Sequence, residues 1–226
     1  MENGKSLENL IRSTKQYEFK DGLREIQIGM YLFATTGILW LGFQPFWLRL
    51  ILRIKEAGGA DTYWLAILLT LVLPIVTIAV IQLLIRYIRS RFLWVETGEV
   101  KPSRRMIPFV DSLAAVLIML AAVGAGVLLA SRENQQAEVV WRWLWLGAGL
   151  GTAYPLFALG RRYGFARMKW EAIIGGFYSI LLLLIPFSTF PGPALCFGVG
   201  WGLLLCTGGG LALYQAWQQK EAGSHA

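Results

Sequence analysis

The chain is poor in the residues that make reactive or ligating centres. It has one histidine, His225, near the C-terminal end, and two cysteines. A haem or zinc centre in a membrane bundle needs histidines or thiolates converging on one point. Cys196 and Cys206 lie ten positions apart on one predicted helix, so their side chains leave it about 280° apart. They cannot pair with each other and read as small apolar residues. There is no glycine-rich phosphate loop with a lysine and no G-x-S-x-G elbow, which leaves ATPase and serine-hydrolase chemistry without support. No cofactor is expected.

Charge is also scarce. Charged residues make up 15% of the 226 positions, against about 25% in soluble domains. What the chain has instead is apolar length: 56% of residues are hydrophobic and mean hydropathy is +0.53. Six apolar stretches, at 23–43, 64–85, 108–130, 143–159, 172–190 and 194–214, approach the roughly 20 residues that cross a hydrocarbon core. None carries Lys, Arg, Asp, Glu or His in its middle third. Runs such as Leu68–Val76 and Ile180–Ile185 are apolar on every face. A barrel strand would alternate instead, and in lipid such a run satisfies its backbone only as a helix. The sequence therefore predicts an all-α integral membrane protein, a bundle of about six transmembrane helices. Residues 1–22 form an N-terminal tail with an interfacial helix as one reading, residues 23–214 the membrane domain, and residues 215–226 a C-terminal tail. The polar first 25 residues do not resemble a cleaved signal peptide.

Lys and Arg give the expected orientation. Of the 21, 16 fall in the tails and the second and fourth loops, and 5 in the other loops. By the positive-inside rule both termini face the cytoplasm, in a plasma or inner membrane. The net charge of +7 is then a topology signal, and no nucleic-acid partner is expected. Trp64, Trp141, Trp143 and Trp145 fall at the expected outer interface, and Trp94, Trp170 and Trp217 at the inner one.

Local patterns refine this plan. Asp21–Gly22 predicts a turn before the first span. Trp47, Leu50, Ile51 and Ile54 share one face opposite Arg49 and Arg53. That segment is an interfacial helix closed at Gly58–Gly59, or a continuation of the first helix bent near Pro45. Phe92–Lys101 fits a small hairpin turning at Gly98, or an irregular loop. The spacing Arg86-Tyr87…Arg91…Trp94 recurs as Arg162-Tyr163…Arg167…Trp170. A duplicated hairpin and the ordinary crowding of Arg and Trp at an inner interface both account for it. Gly147/Gly151 and Gly198/Gly202 are small-xxx-small pairs that bring helices close, within one chain or in a homodimer. Pro155 and Pro186 predict kinks.

Functional candidates are few. Arg86, Arg89, Arg91, Arg104, Arg105, Arg162 and Arg167 form a basic inner face suited to anionic lipid head groups or a protein partner. Asp111, Glu25 and Glu171 are placed in the first turns of helices, where an acid complements the dipole. Asp111 is also the nearest approach to a catalytic or polar site. Thr35, Thr36, Thr70, Thr77, Gln82, Thr152, Tyr154, Ser179 and Thr207 lie inside spans and would line a polar cavity if they converged. The leading expectation is a non-enzymatic membrane subunit or regulatory partner. The alternatives are a small transporter for a neutral or apolar ligand and, behind it, an interfacial lipid-modifying enzyme using Asp111 with Arg104 and Arg105.

Overall fold

The structure is a computed structural model and describes residues 21–93, 109–133, 138–185, 187 and 191–224. The described residues form six α-helices with no strand among them. They are α1 (Leu23–Gly42), α2 (Pro45–Ile88), α3 (Phe109–Glu133), α4 (Glu138–Tyr163), α5 (Ala166–Leu184) and α6 (Pro191–Ser224). A π-helical turn, Arg89–Leu93, continues α2. Three helices are long and apolar enough to cross a membrane, at Val72–Arg91, Val110–Ser131 and Gly192–Gln218. A fourth span results if α1 and Pro45–Gly58, bent by 61° to each other, count as one broken element.

Local chemistry sets the helix ends. Gly22 sits at φ +71°, the left-handed region, and any Cβ there would strike the backbone of Gly209. The turn expected at Asp21–Gly22 is present for both reasons. Pro45 occupies the first turn of α2, where its missing N–H costs nothing. Beyond it the helix runs for 44 residues without a break at Gly58–Gly59. Of the two readings of that segment, the helix closed at Gly58–Gly59 is not found, whereas the bend near Pro45 is present. Each glycine costs a helix about 1 kcal/mol, which the flanking turns absorb. At about 1.5 Å per residue α2 is about 66 Å long, about twice the thickness of a hydrocarbon core.

α5 also departs from expectation. It begins six residues before the 172–190 stretch and stops at Leu184, with Ile185 extended at φ −81° and ψ 124°. Residue 185 precedes Pro186, and a residue before proline avoids the helical region. The chain therefore leaves the helix at residue 185, and the kink expected at Pro186 falls on a residue outside the described ones. Pro74 and Pro155 lie inside α2 and α4. The expected hairpin lies mainly outside the described residues, as do the N-terminal surface helix and His225.

Neighbouring contacts arrange the helices in an open row: α2, α1, α6, α5, α4, α3. The start of α1, the end of α2, the start of α5 and the later half of α6 meet at one end. Leu23 packs with Ile81 and Ile85 of α2, and Gly22 meets Gly209 of α6. The centre of the row is a core of Ala153, Leu156, Ala172, Leu182, Phe197, Trp201 and Leu205. Trp201 is fully buried and donates its indole N–H to Ser179 Oγ at 2.9 Å.

The glycine pairs sit where helices touch. A Cβ on Gly147 would lie 2.8 Å from that of Ala122, and one on Gly151 3.1 Å from the carbonyl of Ala115. That pair seats α3 on α4. Gly198 and Gly202 meet Thr36 and Phe33 of α1. Both pairs are thus used within the chain.

Candidate functional site

Six of the hydroxyls inside the helices bond to their own backbone, and the Thr70 side chain lies outside the described ones. Thr35, Thr36, Thr77, Thr152, Ser179 and Thr207 each donate to a carbonyl four residues earlier on their own helix. Gln82 and Tyr154 are exposed. Such back-bonding satisfies the side chain locally and leaves no polar cavity from these groups.

The concentrated chemistry lies where α1, α2, α5 and α6 meet. Asp21 precedes the turn into α1, and its Oδ1 accepts the Leu23 N–H at 3.0 Å. The same carboxylate takes Arg89, from the end of α2, at 3.2 Å and 3.3 Å through Nε and Nη2. This two-point pairing is the geometry that guanidinium and carboxylate favour. Both side chains are buried, at 9% and 11% exposure. Burial pushes the Asp21 carboxyl above its ordinary range, against the pull of Arg89.

One turn further along α1, Glu25 is 1% exposed. Arg167, in the first turn of α5, places Nη2 at 2.8 Å and 2.7 Å from its two oxygens, with Nε 3.3 Å from Oε1. These two pairs join the start of α1 to the end of α2 and to the start of α5. Each buried charge is answered by another, as a low-dielectric setting requires.

Glu171 follows Arg167 by one helical turn. It does not lie in the first turn of its helix, because α5 starts at Ala166. Arg167 Nε is 3.8 Å from Glu171 Oε1, too far for a hydrogen bond. Both carboxyl oxygens are buried with no hydrogen-bond partner among the described residues. Gly208 of α6 faces Oε1 so closely that a Cβ there would collide with it. Glu171 lies just before the 172–190 stretch. Burial, and next the charge on Glu25, raise its carboxyl to about 8, with Arg167 opposing.

The remaining candidates lie elsewhere on this end. Asp111 is in the first turn of α3 as expected. Its side chain is 9% exposed and pairs with Arg162 at 3.4 Å. Arg86 and Arg91 are exposed, and Arg104 and Arg105 lie outside the described residues. The structure thus separates the seven arginines: Arg89, Arg162 and Arg167 take part in ion pairs within the chain, while Arg86 and Arg91 face outward. The two copies of the R-Y-x3-R-x2-W spacing differ locally. The first runs from α2 into the π-helical turn, and Trp94 is outside the described residues. The second spans a helix break at Gly164, φ +79°.

No group of three or more His, Cys, Asp or Glu able to hold a metal occurs among the described residues. Sequence reasoning gives Glu25 and Glu171 only a dipole role, Asp21 a turn, and Asp111 a dipole role and a candidate polar site. It missed their partners, although the Arg167–Glu171 spacing of four was visible. The chain matches no protein-family model, no curated protein and no solved structure.

Proposed function

We propose that this protein is a membrane subunit or regulatory partner without catalytic activity of its own, crossing the plasma or inner membrane six times with both termini in the cytoplasm. α4 and α5 complete the six. α4 is long enough at 26 residues, and the interior half of α5 is apolar from Ala172 onward. The alternation of contacts at the charged end agrees with an even number of crossings.

The observation that carries the reading is the open row. Its terminal helices keep broad apolar faces uncovered. Leu83 on α2 is 66% exposed and Leu128 on α3 is 69% exposed, and many neighbours on both helices resemble them. Lipid covers such a face, and so does the helix of a partner, packing by shape rather than by a hydrophobic driving force. The exposed Arg86 and Arg91, with Arg104 and Arg105 nearby in sequence, suit anionic lipid heads or an acidic protein surface at the inner face. A transporter draws less support, since the hydroxyls that would line its path bond to their own backbones. The enzymatic alternative also draws less support, since the Asp111 carboxylate lies 3.4 Å from the Arg162 guanidinium.

Photo-crosslinking side chains at Leu83 and Leu120, introduced in native membranes, test this directly. A crosslinked protein band of discrete size supports the subunit reading. Crosslinks to lipid alone, from both positions, would overturn it.

A further inference from the structure

At the charged end the buried acids outnumber the guanidinium groups that contact them. Asp21, Glu25 and Glu171 are all buried, and two guanidinium groups, Arg89 and Arg167, lie among them. The two pairs with short contacts are Asp21–Arg89 and Glu25–Arg167. Glu171 is the carboxyl left over. A buried carboxylate with neither oxygen hydrogen-bonded carries the full cost of its lost hydration, and a proton on it removes that charge.

We propose that Glu171 is a proton-binding site: it holds a proton while Arg167 serves Glu25, and losing that proton makes Glu171 a competitor for Arg167. The step is simple acid dissociation. The carboxylic acid gives a carboxylate and one proton, which leaves to solvent past Arg167, 26% exposed. Arg167 Nε is already 3.8 Å from Oε1, so a small rotation shares it between two anions. The Glu25 contact then weakens, and with it the junction of α1, α5 and α6. Proton binding fastens that end of the molecule, and proton release loosens it.

Among the described residues, the elements around Glu171 offer it no second counter-ion. α5 supplies Arg167. α1 supplies Glu25, with Asp21 and its partner Arg89 beyond, and Arg24 donates to Gln27 Oε1 at 2.6 Å. α6 presents the bare backbone of Gly208. At the end of α4, Arg161 is exposed and Arg162 pairs with Asp111. The ligand is a proton, since the acids do not assemble into a metal-ligating group among the described residues.

Infrared difference spectroscopy of the purified full chain, titrated with base, tests the assignment. The carbonyl band of a protonated carboxyl should be present at neutral pH, should vanish with a midpoint at about 8, and should be missing in Glu171→Gln. A band absent from the wild type at neutral pH overturns the proposal. So does a band that persists in folded Glu171→Gln, since the proton then sits on another acid. Should Glu171→Gln fail to fold by circular dichroism, Glu171→Asp decides: a shifted midpoint supports the site, and an unchanged one refutes it.

Discussion

Single side chains decide how the charged end behaves. Glu25 is buried almost completely and depends on Arg167 for both oxygens. Replacing Arg167 with alanine strands that carboxylate, and breaking a buried pair this way costs about 3–5 kcal/mol. A large fall in thermal unfolding temperature in detergent is the expected result, with a smaller one for Arg86→Ala on the exposed surface. pH acts through the same residues. The Glu171 carboxyl titrates at 4.5 when unfolded and at about 8 when folded. The folded state therefore binds more protons between these values. Stability from this group is complete below pH 4.5 and declines as pH rises to about 8. Melting temperature followed across that window should fall, and Glu171→Gln should flatten much of the fall. The acids themselves were legible in the sequence as helix-start residues. Their partners were not, because each pair joins positions far apart in the chain: 68 residues separate Asp21 from Arg89, and 142 separate Glu25 from Arg167.

Helices were the most legible level, for a physical reason. An apolar run in lipid has no other way to satisfy its backbone, so α3 and α6 lie close to the stretches read from composition. Their packing was legible where glycine spacing gave it away. Gly147 and Gly151 admit α3 against α4, and Gly147→Leu should force the two apart. Overpacking of this kind costs about 1–3 kcal/mol or more. Thermal unfolding should register it, whereas Gly124→Leu, where no atom lies within 4 Å, should change little. Two helices were misjudged at their ends. α5 was placed too far along the chain, because its charged first turns, Arg167 to Glu171, lie outside any apolar window. For α2, one of the two readings ends a helix at Gly58–Gly59, because two glycines look like a stop. In fact they only lower helix propensity, and the sequence on both sides continues the helix.

At the scale of the molecule, helix order was invisible from sequence. Six apolar segments allow many arrangements, and the open row follows from where small residues permit close approach: Gly22, Gly29, Gly198 and Gly202 between α1 and α6, and Gly147 and Gly151 between α3 and α4. That row leaves α2 and α3 as free edges and gathers the ion pairs at one end. Under the proposed function the apolar flanks face lipid or a partner, while Asp21 and Glu25 hold helices together through Arg89 and Arg167. The function proposed for this arrangement is assembly with another membrane protein. Native mass spectrometry after extraction in mild detergent tests that claim most directly. The account predicts the 25.3 kDa chain bound to a second protein of different mass. A bare monomer, or one carrying only a small-molecule adduct, would contradict it.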